Sequence, residues 1–222
     1  REKIMRIAMA GNPNSGKTTM FNALTGKSEK VGNWAGVTVD KKENPIKKSY
    51  CNGKDIIAVD LPGTYSISPF TSEESVARDY IVNEKPEVLI NIVDATNLSR
   101  SLFFTTQLLE LGVPMVIALN KTDINEKKDT KIDSKKLSEL LGCPVVNTVS
   151  TSADGLSELM KTAVSIAGKS QKAPFRNKNT DIKDKTAAEA ADCERYEFVN
   201  DIVKQVETRK VLTKDKTMSD KI

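Results

Sequence analysis

Short apolar runs alternate along the chain with segments that repeat apolar residues at helical spacing. Four of the runs have the composition of buried strands, at residues 7–10, 56–59, 88–94 and 113–119. Helical spacing follows or separates these runs at residues 19–24, 73–83, 102–111, 134–141 and 156–167. Strands that alternate with helices predict an α/β fold, in which helices cover both faces of a mainly parallel sheet.

One strand of this sheet is expected to run in the opposite direction. Residues 37–50 are polar and alternating, and Asn52-Gly53 is a strong turn signal before the apolar run that begins at Ile56. This hairpin adds an antiparallel strand, and a last parallel strand is predicted to begin at Pro144. The sheet should therefore have six to seven strands.

The composition changes after Gly168. Residues 168–185 are polar and poor in apolar side chains, which indicates a linker or a mobile loop. An apolar stripe then predicts an amphipathic helix over residues 187–210. We therefore expect a first domain at residues 1–168 and a small helical appendage at residues 169–222. The stripe must pack against the first domain or a neighbouring helix, and a coupling role is one hypothesis.

The first apolar run leads into Gly-Asn-Pro-Asn-Ser-Gly-Lys-Thr at residues 11–18, which fits the P-loop pattern G-x-x-x-x-G-K-[ST]. Successive backbone N–H groups between a strand and a helix form a concave site for phosphate. Lys17 would reach the β- and γ-phosphates, and the Thr18 hydroxyl would bind Mg²⁺. An ordinary glycine turn is the alternative, and the motifs that follow argue against it.

Two later segments fit the parts of a P-loop enzyme that contact the γ-phosphate and Mg²⁺. Thr38 follows a glycine-rich loop at residues 26–36 and is predicted to close on both, although a β-branched residue can also simply open a strand. Asp60-Leu61-Pro62-Gly63 ends a buried strand. Asp60 would hold Mg²⁺, and the Gly63 N–H would contact the γ-phosphate.

Thr64 follows at a position where small GTPases commonly have a glutamine that orients the attacking water. A hydroxyl does not reach as far as a carboxamide, so intrinsic hydrolysis should be slow or use another device. Residues 64–72 are interpreted as a second mobile switch, and Ser72 is predicted to cap the helix that follows.

The sharpest signal for base recognition is Asn120-Lys121-Thr122-Asp123 at the end of a strand. The Asp123 carboxylate would accept hydrogen bonds from guanine N1–H and N2–H₂, a donor pair that adenine lacks. The Lys121 stem would pack on the base, and Asn120 would tie this loop to the P-loop or to the guanine. Backbone N–H groups of Ser150 and Thr151 would meet guanine O6.

These motifs together define a guanine-nucleotide site with Mg²⁺. The predicted nucleotide-binding residues are Gly11, Asn12, Pro13, Asn14, Ser15, Gly16, Lys17, Thr18, Thr19, Gly36, Val37, Thr38, Asp60, Leu61, Pro62, Gly63, Asn120, Lys121, Asp123, Ser150 and Thr151. The predicted Mg²⁺ ligands are Thr18, Thr38 and Asp60.

Composition narrows the chemistry further. The 222 residues include no histidine, so catalysis must rely on positioning, charge and metal ions. Three separated cysteines without a C-x-x-C pair indicate a reducing compartment and argue against zinc, iron–sulfur or iron binding in this segment. A net charge of +4 is too mild to argue for nucleic acid. Without a secretory signal or a long apolar run, the chain as given is expected to be soluble and cytoplasmic, although a fragment of a membrane protein would look the same.

Four segments, at residues 11–18, 31–39, 60–66 and 93–98, closely resemble the bacterial ferrous iron transport protein B (FeoB) family. The similarity covers about residues 4–168 and continues weakly through residues 192–198. It implies a Ras-like P-loop GTPase domain at the cytoplasmic face of the bacterial inner membrane. It also implies a helical appendage that influences GDP release and links the GTPase to the transporter's own membrane domain, so that nucleotide state is coupled to Fe²⁺ uptake.

Some members of this family are stimulated by K⁺. The resemblance implies that Asn14, with backbone carbonyls near Gly32 and Asn33, holds a K⁺ that stabilises negative charge developing at the β–γ bridge. The catalytic residues would then be Lys17, Thr38, Gly63 and Asn14. The oligomeric state stays open, with a homo-oligomer as one option.

Two other functions compete with a K⁺-stimulated GTPase. One is a nucleotide-gated regulatory module in which hydrolysis is incidental. The other is a soluble RNA-associated GTPase, which would normally need an RNA-binding domain. The residues after Gly168 supply neither a basic stripe nor an RNA motif, so no nucleic-acid partner is expected.

Overall fold

The computed structural model describes residues 3–26, 31–68, 70–177 and 185–209. Parts of the predicted glycine-rich loop and linker, and everything after Arg209, lie outside these residues. In chain order the strands and helices are β1 (Met5–Gly11), α1 (Lys17–Thr25), β2 (Val31–Asn33), β3 (Asp40–Pro45), β4 (Ile56–Asp60), α2 (Ser72–Asp79), β5 (Val88–Asp94), α3 (Leu98–Glu110), β6 (Met115–Asn120), α4 (Thr122–Lys127), β7 (Thr130–Ile132), α5 (Ser134–Leu141), β8 (Val145–Asn147), α6 (Leu156–Ile166), α7 (Lys185–Val206) and β9 (Glu207–Arg209).

Seven of these strands form one sheet in the order β2-β3-β4-β1-β5-β6-β8. The pairs β1–β4, β1–β5, β5–β6 and β6–β8 are parallel, and the pairs β2–β3 and β3–β4 are antiparallel. The predicted α/β fold with a mainly parallel sheet of six to seven strands is confirmed. Strand β2 lies where the sequence indicates only a loop.

Helices cover both faces of the sheet, as predicted. Alternate residues of β1 point to opposite faces, so Ala8 and Ala10 belong to one buried cluster and Ile7 and Met9 to the other. Apolar residues of α1 and α6 complete the cluster around Ile7, and those of α3, α5 and α7 complete the other. Burial on both faces explains why the central strands read as continuous apolar runs.

The predicted hairpin is present, but its connection is longer than the turn signal indicates. Strand β3 ends at Pro45, and ten residues separate it from β4. Asn52 and Gly53 have φ values of 46° and 80°, and the Lys54 N–H donates to the Cys51 carbonyl at 3.0 Å. The Asn-Gly turn therefore lies inside this connection and does not join the two strands directly.

Helix α2 is capped by Thr71, so the prediction of Ser72 as the cap is wrong. Thr71 has extended backbone angles, and its hydroxyl accepts from the Glu74 N–H at 3.2 Å. Ser72 is the first helical residue. Both side chains can cap a helix, and the backbone conformation decides between them. A π-helical turn at Tyr80–Glu84 continues α2.

Helix α7 buries its apolar stripe against α3 and α5 through Val199, Ile202 and Val206. The stripe thus packs on the first of the two predicted domains, while the division at residue 168 stays a prediction. Helix α7 ends at Val206, four residues earlier than predicted, because β9 pairs antiparallel with β7 in a second, two-stranded sheet. No helix among the described residues is long and apolar enough to cross a membrane.

Candidate active site

The parallel strands end around a cavity of about 580 Å³. Carboxyl strand ends are where open α/β sheets bind ligands, because the loops that follow the strands meet there. The predicted residues that line the cavity are Pro13, Asn14, Gly16, Lys17, Thr18, Thr19, Gly63, Asn120, Lys121, Asp123, Ser150 and Thr151. Ile124 and Val149 also line it and carry no motif signal, so sequence reasoning missed them.

The P-loop connects β1 to α1 under tight steric limits. A Cβ on Gly11 would lie 2.9 Å from the Ile92 carbonyl oxygen. Gly16 has φ of 94°, and a Cβ there would lie 2.2 Å from Asn120 Nδ2. Glycine is therefore required at both positions, by close approach at the first and by close approach and conformation at the second. Three predicted residues, Gly11, Asn12 and Ser15, are buried and do not line the cavity.

Lys17 and Asp60 form an ion pair beside the cavity. Lys17 is the first residue of α1, Asp60 is the last residue of β4, and each side chain is 9% exposed. Their contact is a direct hydrogen bond between the Lys17 ammonium and Asp60 Oδ1. Two charges buried to this extent need a partner, and here each neutralises the other.

Asn120 connects three loops of the site. Its Nδ2 donates to the Ser15 carbonyl at 3.0 Å, and its Oδ1 accepts from the Ser150 N–H at 3.0 Å and from Thr148 Oγ1 at 3.3 Å. Asn120 is 2% exposed, so these bonds are shielded from water. The side chain therefore ties its loop to the P-loop. The Ser150 N–H, one of the two predicted donors to guanine O6, is engaged with Asn120.

Lys121 extends from the same loop across the site. Its φ is 64°, and its ammonium donates to the Asn14 carbonyl at 2.6 Å and to Asp94 Oδ2 at 2.8 Å. Asp123, two residues later, lines the cavity from the first turn of α4. A hydrogen bond therefore joins the loop predicted to recognise the base to the loop predicted to bind phosphate.

The predicted residues of the first switch lie outside the cavity lining. Gly32 and Asn33 belong to β2 and pair with β3, and the Trp34 N–H donates to the Val39 carbonyl at 2.9 Å. The turn between these residues carries Gly36, Val37 and Thr38, and Thr38 is exposed. The structure therefore does not bring the predicted switch ligands of Mg²⁺ and K⁺ to Lys17.

The predicted second switch begins against the P-loop. Gly63 lines the cavity, a Cβ there would contact Pro13 at 3.4 Å, and the Thr64 N–H donates to the Gly11 carbonyl at 3.3 Å. Leu61 is fully buried in the core, and neither it nor Pro62 lines the cavity. Further along, the Ile67 N–H donates to Gln107 Oε1 of α3 at 3.1 Å, which anchors the switch to that helix.

Comparison with known proteins supports the resemblance noted from the motifs. A family model described as ferrous iron transport protein B matches residues 5–163. The Fe(2+) transporter FeoB of Salmonella typhimurium is 49% identical over 166 residues, and the match spans 73% of this chain and 21% of the relative. The chain therefore spans about a fifth of the length of this curated relative.

Solved structures with the same fold include forms with bound nucleotide. A mutant of S. thermophilus NFeoB bound to GDP has a TM-score of 0.78 and 32% identity, with 92% of this chain and 100% of that chain covered. The cytosolic domain of the T. maritima FeoB iron transporter in its GMPPNP form has a TM-score of 0.82 and 28% identity, with the same coverage. On the family match over most of its length, the chain belongs to the ferrous iron transport protein B family.

Proposed function

We propose that this chain binds guanine nucleotides and hydrolyses GTP as the cytoplasmic GTPase part of a bacterial Fe²⁺ transporter. The observation that carries the proposal is a single cavity that joins Lys17 of the P-loop to Asp123 of the Asn-Lys-x-Asp loop. The family membership supports it, as do the similar structures solved with GDP and in a GMPPNP form. The partners we propose are GTP, GDP and the membrane part of the same transporter.

Guanine is selected at the Asp123 end of the cavity. A carboxylate there accepts hydrogen bonds from guanine N1–H and N2–H₂, whereas adenine would leave the carboxylate desolvated without donors. The aliphatic stem of Lys121 lies in the cavity lining and packs on the purine. Asn120 does not read the base in this arrangement, because both of its polar atoms bond to protein.

The phosphates lie at the Lys17 end. The Lys17 ammonium and the backbone N–H groups at the start of α1 neutralise phosphate charge. Thr18 lines the cavity and Asp60 lies next to Lys17, so a hydroxyl and a carboxylate oxygen, both hard ligands, fit Mg²⁺. When bound, Mg²⁺ supplies positive charge to the β- and γ-phosphates. Thr38 joins these ligands only if the exposed turn that carries it moves to the cavity.

Hydrolysis is proposed to be slow and stimulated by K⁺. Thr64 offers a buried hydroxyl rather than a carboxamide for orienting water, and it is 4% exposed. Asn14 lines the cavity with φ of 63°, and its carbonyl already accepts from Lys121. Its side-chain carboxamide would therefore be the group that holds K⁺. Gly32 and Asn33 contribute carbonyls only after the first switch has moved.

The decisive experiment measures affinity for GTP, ATP and XTP with Mg²⁺, in the native chain and in Asp123→Asn. Strong guanine preference in the native chain and a shift toward xanthine in the variant are expected, because the amide reverses one hydrogen bond. Asp201→Asn, an exposed change on α7, is the matched control and should bind like the native chain. Equal binding of GTP and ATP, or binding of neither, would overturn the proposal.

The finer claim about K⁺ has its own measurement. Single-turnover hydrolysis should be faster in K⁺ than in Na⁺, and Asn14→Ala should remove the difference while retaining GDP binding. Negligible turnover in both salts would instead favour a nucleotide-gated module without a catalytic role.

A further inference from the structure

Asp94 is the last residue of β5 and has no predicted role in nucleotide binding. It pairs in register with Asn120 at the end of β6, so it lies beside the Asn-Lys-x-Asp loop. Its side chain is 17% exposed, and it does not line the cavity. A carboxylate that does not contact the ligand influences ligand binding through the residues to which it is bonded.

The residue that Asp94 holds is Lys121. Asp94 Oδ2 accepts from the Lys121 ammonium at 2.8 Å, and the same ammonium donates to the Asn14 carbonyl at 2.6 Å. A lysine side chain has four flexible torsions, and ordering it costs conformational entropy. The fixed negative charge of Asp94 reduces that cost, because it selects the conformers in which the ammonium also reaches the P-loop.

Asp94 is itself rigidly placed. Its Oδ1 accepts from the Thr96 N–H at 2.9 Å and from the Thr96 hydroxyl at 2.5 Å, and its own N–H donates to Ser101 Oγ at 3.3 Å. These bonds join the end of β5 to the turn that follows and to the first residues of α3, so they do not depend on the nucleotide. Asp94 therefore provides a preorganised anchor for a flexible cation.

The other end of this chain of bonds is a P-loop residue in a left-handed conformation. Asn14 has φ of 63°, which asparagine adopts more readily than other non-glycine residues. The hydrogen bond from Lys121 to the Asn14 carbonyl holds the P-loop backbone in this orientation. We propose that Asp94 is a positioning residue that sets both the Lys121 stem under the purine and the Asn14 carbonyl of the P-loop. The proposal rests on the proposed guanine-nucleotide site.

The consequence is an effect on GDP and GTP alike. Asp94 touches neither the γ-phosphate nor the base edge, so its loss weakens both nucleotides by a similar factor and leaves the preference for guanine over xanthine intact. For a partly buried ion pair we expect about a fivefold to tenfold loss of affinity, expressed as faster dissociation.

The test uses Asp94→Asn, which keeps the size of the side chain, removes the charge and replaces the oxygen that accepts from Lys121 with a donating amide nitrogen. Dissociation of a fluorescent GDP analogue should be about fivefold to tenfold faster, with the unfolding midpoint of the nucleotide-free protein nearly unchanged. Asp55→Asn is the matched control, because Asp55 forms an exposed ion pair with Lys48 elsewhere on the fold. Thr96→Val, which removes one of the bonds that hold Asp94, should give a smaller effect in the same direction.

A double-mutant cycle with Lys121→Met separates positioning from a structural role. If Asp94 acts through Lys121, Asp94→Asn should cause no further acceleration once Lys121 is methionine. Additive effects, or a native dissociation rate in Asp94→Asn, would overturn the inference. The outcome is distinguishable from failure of the proposed function: if Asp123→Asn shifts the chain toward xanthine while Asp94→Asn does nothing, only the role of Asp94 is wrong.

Discussion

The indole of Trp34 meets the ring of Tyr80 edge-on, with ring centroids 5.3 Å apart and an interplanar angle of 70°. Trp34 opens the turn that carries Thr38, and Tyr80 begins the π-helical turn after α2. Lys41 adds its ammonium 4.8 Å from the centroid of the Trp34 ring. This contact joins the predicted first switch to the helix that follows the predicted second switch, in an arrangement in which the first of these segments does not line the cavity.

This contact should report the movement of the first switch. Trp34 is the only tryptophan in the chain, so its emission should change when a non-hydrolysable GTP analogue replaces GDP and Thr38 closes on the cavity. Tyr80→Leu removes an edge-to-face contact of about 1 kcal/mol and should weaken the hold on the open turn. The measurement is tryptophan fluorescence of the native chain and the variant with each nucleotide.

Tyr80→Phe is the control for this experiment, since it keeps the ring and should keep the native emission in both nucleotide states. Emission that is identical with GDP and with the GTP analogue would show that Trp34 does not move with the nucleotide.

A methyl group at Gly16 should disrupt the junction between the P-loop and Asn120. A Cβ there would lie 2.2 Å from Asn120 Nδ2 at a backbone φ of 94°, so strain and a lost hydrogen bond act together. We expect Gly16→Ala to destabilise the fold by about 2–4 kcal/mol and to abolish measurable GDP binding. Urea unfolding and GDP titration measure the two effects.

Gly53→Ala is matched to this change, because Gly53 has φ of 80° but open space around its Cβ position. Only the conformational cost of about 1 kcal/mol should appear there, with native GDP affinity. Equal destabilisation by the two substitutions would mean that the contact with Asn120 contributes nothing.

Features of the fold and the site can be predicted from the sequence when they depend on local patterns, and less well when they depend on contacts between distant residues. The P-loop and Asn-Lys-x-Asp motifs follow apolar strands, and the topology of a parallel sheet then brings them together without further information. The sequence does not indicate strands β2, β7 and β9, because each is a short segment without a periodic apolar pattern and forms through pairing with a neighbour. The contacts of Asp94 with Lys121 also depend on the tertiary arrangement, so the motif containing Asp94 was noticed but its contact was not.

Helix α7 also has a buried contact that the sequence pattern does not predict. The apolar stripe was read from its spacing, but Arg195 lies within it, 2% exposed. A charged residue in a predicted apolar face would normally be expected to point to the solvent. The partners of Arg195 on α3 explain why it is buried instead. Arg195 donates to Thr106 Oγ1 at 3.0 Å and to Glu110 Oε2 at 2.9 Å.

Removing the charge of Arg195 should therefore be costly. Arg195→Met leaves Glu110 partly buried without its cation and frees Thr106, so we expect a loss of about 2–3 kcal/mol in the free energy of unfolding, less than for a fully buried pair because Glu110 is 24% exposed. Combining it with Glu110→Gln should recover part of the loss. Lys185→Ala is the control, because the exposed pair of Lys185 with Glu189 on the same helix contributes about 0.5 kcal/mol or less. A native unfolding curve for Arg195→Met would contradict the assignment.

The last prediction concerns stability at alkaline pH. Burial raises the pKa of the Cys143 thiol from 9.0 to about 12, so the folded chain keeps this proton at pH 10 and the unfolded chain releases it. The contribution of the protonated Cys143 thiol to the free energy of unfolding is intact below about pH 9 and declines as pH rises toward 12. At pH 10 the loss is about 1 kcal/mol from this one thiol.

Urea unfolding under reducing conditions at pH 8 and pH 10 should show that Cys143→Ala loses that much less stability than the native chain over this interval. Cys193→Ala, at an exposed thiol, should follow the native chain. If Cys143→Ala instead follows the native curve, the thiol ionises equally in both states and its burial has no electrostatic consequence.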